Sequence, residues 1–261
     1  MGGKNNTNSG NYSAVLNGSS NYTSGFHNLV GVGYKNSATT NYSSVLNGLH
    51  NSVNETYSFI GNGYNNSVNA SYGTIVGGGN NLISNDFSFI GNGVANITSG
   101  RYSFIGNGYN NSVAGYASFI GGGVGNIASG IGSFIGNGTG NTTSSILSFV
   151  GNGSGNTASG AGSFIGNGTG NTASGIHSII VGGRLNSATT SYSSIVGGSN
   201  NLASSPWSFI GGGFKNSATT SYSSIVGGKN NITSGAMSFV GSGSGNTASG
   251  YYSVVTGGYG N

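Results

Sequence analysis

Residues 103–117 read SFIGNGYNNSVAGYA, and this fifteen-residue unit decides the fold because the rest of the chain repeats it about seventeen times. We number the repeat positions from 1 to 15, with Ser13 at position 1. Position 9 is Asn in all eighteen occurrences from Asn6 to Asn261. Position 6 is always Gly, from Gly3 to Gly258, and position 3 is always Ile or Val. So strict a period predicts a solenoid, in which each repeat forms one coil and stacks on the next.

Each repeat predicts two short strands joined by tight turns. Positions 1 to 4 are rich in β-formers, as in Ser103-Phe104-Ile105-Gly106. The Asn-Gly or Gly-Gly pair that follows accepts the positive φ of a turn. A second strand is expected at positions 9 to 12, as in Asn171-Thr172-Ala173-Ser174, and a Ser-Gly pair then turns the chain back. We therefore predict an all-β parallel β-solenoid, or β-roll, of about 17 coils, forming one domain over residues 1–261 without a capping segment.

Composition narrows the class of function. Charged residues make up 3% of the chain, and the net charge of +4 reflects a shortage of acids, which are only Glu55 and Asp86. The basic residues are spread over many coils, so we expect no nucleic-acid groove. No apolar run reaches the length of a membrane span, so we expect no membrane insertion. Cysteine is absent.

The Asn at position 9 is expected to form an amide ladder. Coils stacked in register lie roughly 4.8 Å apart, so identical side chains lie above one another and can hydrogen-bond from coil to coil. A binding function rarely needs eighteen identical amides. The ladder residues inside the chain are Asn21, Asn36, Asn51, Asn66, Asn81, Asn96, Asn111, Asn126, Asn141, Asn156, Asn171, Asn186, Asn201, Asn216, Asn231 and Asn246.

Positions 2 and 4 indicate an oligomer, because a large residue at one of them is accompanied by a small residue at the other. Phe at position 2 occurs with Gly at position 4 in nine coils, whereas Ala, Ser or Thr occurs with Leu or Val in five. Both positions flank the inward residue at position 3, so they point outward and form an apolar stripe. We predict that copies of the chain bury this stripe, as a trimer or a filament. The Phe residues of this expected oligomer face are Phe59, Phe89, Phe104, Phe119, Phe134, Phe149, Phe164, Phe209 and Phe239.

The stretch SFIGGG at residues 118–123, followed by NIASG at residues 126–130, resembles the head repeats of trimeric autotransporter adhesins and related phage tail-fibre repeats. Those repeats carry a Ser-Val-Ala-Ile-Gly type strand, a Gly turn and an Ala-x-Gly return. The resemblance spans nearly the whole chain and implies a left-handed parallel β-roll that forms a homotrimer and serves as an adhesive or spacer module. It also implies an extracellular location, on a cell-surface appendage or a virion fibre. This chain differs in having one more residue per coil and Asn at position 9.

No constellation of catalytic or metal-binding residues is visible. Glu55 and Asp86 are expected roughly 10 Å apart on one edge, without a neighbouring His or Arg. His27 and His177 share position 15 but are ten coils apart, and His50 lies at position 8. We therefore predict no enzyme activity, no catalytic or metal site and no cofactor.

Two surface features leave alternatives open. Position 15 is aromatic in ten coils, and these rings could stack on sugars of a surface glycan or receptor; the pattern favours packing on one another. Four Asn-x-Ser/Thr sequons at position 5 are candidate glycosylation sites, namely Asn17, Asn137, Asn152 and Asn167.

The resulting functional expectation is a structural or adhesive fibre module, a stiff rod that assembles with copies of itself and presents surface- or receptor-binding edges. One alternative is a subunit of a glycosylated extracellular filament. Another is an ice-binding β-solenoid, favoured by the Thr and Ser residues of the second strand, as in Asn141-Thr142-Thr143-Ser144.

Overall fold

A computed structural model describes residues 2–261 of the chain. Every regular element in this range is a β-strand. The chain divides into two compact units, Met1–Ser129 and Gly130–Asn261. The parallel β-solenoid of about seventeen coils predicted from the repeat is confirmed, because the strands form seventeen pairs, two per coil. The prediction of one domain over residues 1–261 stays a prediction.

The first unit contains the strands β1 to β17, each two residues long. Their bounds are β1 (Thr7–Asn8), β2 (Ala14–Val15), β3 (Tyr22–Thr23), β4 (Leu29–Val30), β5 (Ser37–Ala38), β6 (Ser44–Val45), β7 (Ser52–Val53), β8 (Phe59–Ile60), β9 (Ser67–Val68), β10 (Thr74–Ile75), β11 (Leu82–Ile83), β12 (Phe89–Ile90), β13 (Ile97–Thr98), β14 (Phe104–Ile105), β15 (Ser112–Val113), β16 (Phe119–Ile120) and β17 (Ile127–Ala128).

The second unit contains the strands β18 to β34, again of two residues each. Their bounds are β18 (Phe134–Ile135), β19 (Thr142–Thr143), β20 (Phe149–Val150), β21 (Thr157–Ala158), β22 (Phe164–Ile165), β23 (Thr172–Ala173), β24 (Ile179–Ile180), β25 (Ser187–Ala188), β26 (Ser194–Ile195), β27 (Leu202–Ala203), β28 (Phe209–Ile210), β29 (Ser217–Ala218), β30 (Ser224–Ile225), β31 (Ile232–Thr233), β32 (Phe239–Val240), β33 (Thr247–Ala248) and β34 (Val254–Val255).

Each unit has two parallel sheets in strict register. Even-numbered strands carry positions 2 and 3 and pair with the next even-numbered strand, as in Phe89↔Phe104 and Phe134↔Phe149. Odd-numbered strands carry positions 10 and 11 and pair in the same way, as in Thr157↔Thr172. We call these the even-strand sheet and the odd-strand sheet. Position 7 adds a third line of parallel bridges, so each coil is fixed to its neighbours at three places.

The interior is built from one side chain at each of positions 1, 3, 9 and 11. Ile and Val at position 3 supply its largest fully buried residues, such as Ile60 and Ile210. Position 11 supplies smaller buried residues, often Ala, and positions 1 and 9 supply buried Ser and Asn. Burying each Ile contributes about 1.5–3 kcal/mol. The core is therefore a pair of apolar columns flanked by two columns of polar side chains.

Positions 1 and 11 lie opposite each other and share their space. Position 1 is Ser in most coils but Gly at Gly73. A Cβ on Gly73 would lie 2.5 Å from Val68 Cγ1 and 3.2 Å from Ile83 Cγ2. Val68 and Ile83 are large residues at position 11, where Ala is common elsewhere. The small Gly73 thus compensates for two large neighbours, as close packing requires.

Positions 8 and 15 adopt the left-handed conformation in every coil, a feature that the sequence reading missed. Position 15 holds residues such as Tyr57 at φ 56° and Trp207 at φ 60°, and position 8 holds residues such as His50 at φ 56° and Leu185 at φ 53°. This conformation is disfavoured for residues other than Gly and Asn. It turns the peptide, so that N–H groups at these positions donate back to the preceding coil, whereas those in the strands donate forward to the next coil.

The strands are shorter than the predicted four residues because of these turns. The residue that follows each left-handed position begins the predicted strand, at position 1 or position 9. Its N–H points away from the forward-directed strand bonds, as in Asn51, whose N–H donates to the side chain of Asn36 in the preceding coil. Regular pairing therefore covers only positions 2–3 and 10–11.

Candidate functional surfaces

Each buried Asn at position 9 makes a repeated set of hydrogen bonds. Asn66 Oδ1 accepts from the backbone N–H of Asn81 at 3.0 Å and from its Nδ2 at 3.1 Å. Asn66 Nδ2 donates to the carbonyl of Asn62 at 3.3 Å, to that of Gly78 at 2.9 Å and to Asn51 Oδ1 at 3.1 Å. The side chain therefore connects three successive coils and also satisfies carbonyls of the turn at positions 5 and 6.

The second unit repeats this arrangement. Asn156 Oδ1 accepts from the N–H of Asn171 at 3.0 Å, and its Nδ2 donates to Gly168 O at 2.8 Å. These side chains have relative exposures of 0–1%, so they are not available to an external ligand. Their role in the described structure is to complete backbone hydrogen bonding in the interior, where an unpaired group would be unfavourable.

The Phe residues at position 2 form stacked rows on the outer face of the even-strand sheet. Ring centroids are 5.0 Å apart for Phe89 and Phe104 and 4.8 Å apart for Phe104 and Phe119. In the second unit, Phe134 and Phe149 stack at 4.9 Å. Such offset contacts between rings stabilise a stack by about 0.5–1.5 kcal/mol each.

In most coils with Phe at position 2, the ring also lies beside the Gly at position 4 of its own coil. A Cβ on Gly61 would lie 3.5 Å from Phe59 Cε1. A large side chain at position 4 would compete for that space, and coils with Val76 or Leu46 at position 4 carry Thr74 or Ser44 at position 2. The exchange of volume between the two positions therefore has an explanation within one chain and does not by itself require a partner.

The outer face of the even-strand sheet nonetheless remains apolar. Phe164 and Phe209 retain 36% of their accessible surface, and in coils without Phe the position-4 residues Val196 and Val226 are 45% and 52% exposed. Every coil thus presents a large apolar side chain at position 2 or 4.

The opposite face, formed by the odd-strand sheet, carries mainly hydroxyl groups at positions 10 and 12. In four successive coils position 10 reads Thr142, Thr157, Thr172 and Ser187, paired in register. Position 12 of these coils is Ser or Thr. In other coils Ile, Leu or Tyr replaces the hydroxyl residue at position 10. One of these residues is Tyr22, whose pKa is lowered below its ordinary value by side-chain hydrogen bonds with Ser24 and Ser9.

The aromatic side chains at position 15 stack on one another. Tyr42, Tyr57 and Tyr72 lie face to face with centroids 4.9 and 5.1 Å apart, and the stack continues through Phe87 to Tyr102 at 4.7 and 5.0 Å. The inner rings therefore have a neighbouring ring on each side, while Tyr57 keeps 51% of its accessible surface.

A shorter stack in the second unit contains the single Trp. Trp207 lies between Tyr192 at 4.1 Å and Tyr222 at 6.2 Å, with all three rings nearly parallel. A separate edge contact joins Tyr251 and Tyr252, and the hydrogen bond between them raises the pKa of Tyr251.

The two carboxylates lie two coils apart, Glu55 at position 13 and Asp86 at position 14. Asp86 Oδ1 accepts from the backbone N–H of Ser71 at 3.0 Å, which is a structural contact between coils. Arg101 occupies the same repeat position one coil later, so the expectation that no Arg lies beside the acids was wrong. Its guanidinium lies over the rings of Phe87 and Tyr102, at 5.2 and 4.9 Å.

The remaining basic residues lie along the turn at positions 7 and 8. Lys35 Nζ lies 5.1 Å from the ring centroid of Tyr34, and Lys215 Nζ lies 5.2 Å from that of Phe214. No group of three His, Asp or Glu residues in the described part of the chain could hold a metal ion. Residues 2–261 form no pocket.

The candidate glycosylation residues Asn17, Asn137, Asn152 and Asn167 are all exposed. In each, Oδ1 accepts from the N–H of the following Gly, at 2.6–2.7 Å. Sequons that coincide with the ladder, such as that of Asn96, are buried in the folded chain.

No helix long and apolar enough to cross a bilayer occurs among residues 2–261. No protein-family model matches the sequence, and no curated protein matches it either.

Proposed function

We propose that the chain is a structural module of a fibre or surface appendage, which associates with copies of itself and can act as a spacer or adhesive segment. The coils of each unit are held together by the same interior ladder and the same backbone bonds. Polar groups are repeated from coil to coil instead of being placed once around a reactant. This favours a mechanical role over catalysis, and it agrees with the resemblance of the repeats to adhesin heads and tail fibres.

The apolar outer face of the even-strand sheet carries the proposal. A large apolar side chain at position 2 or position 4, most often Phe, Val or Leu, is partly exposed in every coil, and monomeric soluble proteins rarely expose such continuous stripes. The face carries no Lys, Arg, Asp or Glu at either position. A second copy of the chain offers a matching surface, because coils with the same spacing can place large side chains of one copy beside small ones of the other.

A homotrimer that buries three such faces around an axis is the favoured assembly, and an open filament is the alternative. Either would be expected outside the cell, on a surface appendage or a virion fibre. Contacts made by exposed edges with glycans or a receptor would then be repeated along the assembly, so weak binding at one edge would be strengthened by multivalency.

Sedimentation analysis of the whole chain tests the proposal, with electron microscopy to separate trimers from filaments. The variant Phe104→Ser/Phe119→Ser should shift the chain toward monomer at micromolar concentration, because it removes two apolar side chains from the proposed contact. The control Ile97→Ser/Ile127→Ser removes two exposed apolar residues from the odd-strand sheet of the same unit and should leave the assembly intact. A wild-type monomer, or equal effects of the two variants, would contradict the proposal.

Ice binding is a second candidate, favoured by the hydroxyl rows at Thr142, Thr157 and Thr172. Parallel strands set these groups roughly 4.8 Å apart across the sheet and roughly 7 Å apart along each coil, which makes a flat two-dimensional array. Thermal hysteresis of the wild-type chain that is lost in Thr157→Lys would support this function. Absence of hysteresis in the wild type removes it.

A further inference from the structure

Eight exposed Asn-Gly pairs occupy positions 5 and 6, and six of them share one geometry. In these six the backbone N–H of the Gly donates to Oδ1 of the preceding Asn at 2.6–2.7 Å. The Gly nitrogen is thereby held beside the Asn carboxamide. The six residues are Asn17, Asn47, Asn92, Asn137, Asn152 and Asn167.

We propose that these six turns are sites of unassisted deamidation, which gives the folded chain a built-in charge change with age. The Gly nitrogen, after losing its proton to hydroxide, attacks Cγ of the Asn. The N–Cγ bond forms, the Cγ–Nδ2 bond breaks, and Nδ2 leaves as ammonia after taking a proton from water. Water then opens the resulting succinimide at either carbonyl and produces aspartate or isoaspartate. Holding nucleophile and electrophile in contact lowers the barrier to the first step.

Asn62 and Asn107 have the same Asn-Gly sequence and a different geometry. Their side chains reach toward the next coil, where position 5 is Gly. A Cβ on Gly77 would lie 2.5 Å from Asn62 Oδ1, and one on Gly122 would lie 2.6 Å from Asn107 Oδ1. The space left by Gly77 and Gly122 accommodates the carboxamides of Asn62 and Asn107, although a Gly in the next coil is not sufficient by itself, because Asn167 precedes Gly182 and still contacts its own turn. These two residues should therefore deamidate more slowly in the folded chain.

Deamidation at position 5 would also affect the interior ladder. The carbonyl of Asn47 accepts from Asn51 Nδ2 at 3.2 Å, and the carbonyl of Asn137 accepts from Asn141 Nδ2 at 3.2 Å. Isoaspartate adds a methylene to the main chain at position 5. If the coil keeps its register, the position-5 carbonyl is displaced and its hydrogen bond from the ladder Asn is lost.

Each event also adds one negative charge to a chain of net charge +4, so six events give 4 − 6 = −2. In the second unit the three sites lie in successive coils, roughly 4.8 Å apart, and like charges there would repel.

Peptide mapping by mass spectrometry during incubation at mildly alkaline pH tests the proposal, using chain made in a bacterial host so that Nδ2 carries no glycan. The six sites should deamidate on the order of tenfold faster than Asn62 and Asn107 in the folded chain. In urea the ratio should fall to about one, because only the local sequence then remains. Equal rates for all eight sites in the folded chain, or faster reaction at Asn62 and Asn107, would overturn the assignment.

Gly77→Ala provides a test at a residue that takes no part in the reaction. The added methyl group displaces the Asn62 side chain toward its own turn, so the Asn62 rate should rise toward that of the six sites. Gly122→Ala should do the same for Asn107. Gly197→Ala is the matched control, because a Cβ there meets open space and the preceding coil has Gly182 at position 5. An unchanged Asn62 rate in Gly77→Ala together with an unchanged Asn107 rate in Gly122→Ala would contradict the geometric cause.

Discussion

The backbone N–H of Asn51 donates to the side-chain Oδ1 of Asn36, which lies 3.0 Å away and one coil earlier. The bond arises because His50, at φ 56°, turns the peptide toward the preceding coil. The N–H of His50 donates to the carbonyl of Tyr34 in that coil, at 2.9 Å, whereas the N–H of Asn51 donates to the Asn36 side chain. The invariant Asn thus follows from an invariant left-handed turn: position 9 needs an acceptor for this N–H and a donor for the carbonyls of the Gly turn.

Asn66→Ala should lower the free energy of unfolding by about 3 kcal/mol, because it leaves the buried N–H of Asn81 without an acceptor and removes the donor to two carbonyls. Thermal unfolding followed by circular dichroism measures the effect. Asn69→Ala is the control, since Asn69 is exposed and Ala114 occupies the same repeat position elsewhere. A loss no larger than that of the control would show that the ladder is energetically unimportant.

Gly73→Ser should destabilise the chain by about 1–3 kcal/mol even though Ser is the usual residue at position 1, because its Cβ would overlap Val68 Cγ1. Val68→Ala should partly rescue it by vacating that space. The double variant is therefore expected to be less destabilised than the sum of the single ones, with a coupling of about 0.5–3 kcal/mol measured by urea unfolding. Simple additivity would contradict the shared space.

Tyr57→Ala should be more destabilising than Tyr57→Gly by about 1 kcal/mol, because only Gly adopts the left-handed conformation without strain. Both variants lose the stacking with Tyr42 and Tyr72, so their difference reports backbone conformation alone. Gly132, at φ 62°, already occupies this position in another coil. Unfolding midpoints that rank Ala above Gly would contradict the account.

Leu185→Asn should stabilise the second unit by about 1 kcal/mol, because Leu185 is left-handed at φ 53° and Asn tolerates that conformation better. Leu202→Asn makes the same chemical change at an exposed strand position and should be neutral or destabilising. Differential scanning calorimetry of the two variants measures their unfolding midpoints. Equal shifts of the two midpoints would contradict the claim that the left-handed conformation of Leu185 is strained.

Much of the fold follows from the spacing of residues such as Ile105 and Asn111. Ile or Val once per repeat and a Gly turn beside it predict stacked coils with one apolar column, and the structure has both. An amide ladder of the Asn residues was also predicted, whereas their burial was not. The bonds of these residues to the turn carbonyls, such as that from Asn66 to Gly78, were not predicted either, because they depend on how the turn approaches the next coil.

The left-handed residues could not be predicted from side chains such as Tyr57 or Trp207, because aromatic residues rarely adopt that conformation. A signal was present, since Gly132 and Gly162 occupy position 15 and Asn or Gly often occupies position 8. The contact between Phe59 and Gly61 could not be predicted either. The exchange of large and small residues between positions 2 and 4 does not say whether the space they share lies within one chain or between chains.

The constant register between neighbouring strands also bears on how such a gene can change. Each strand pairs with the residues one repeat away, as Thr157 does with Thr172. Loss or duplication of one whole repeat inside a unit therefore gives every remaining residue a partner of the same kind, whereas an insertion of any other length breaks the pattern for that coil. Unequal recombination between repeats can therefore lengthen or shorten the protein while the remaining coils keep their register.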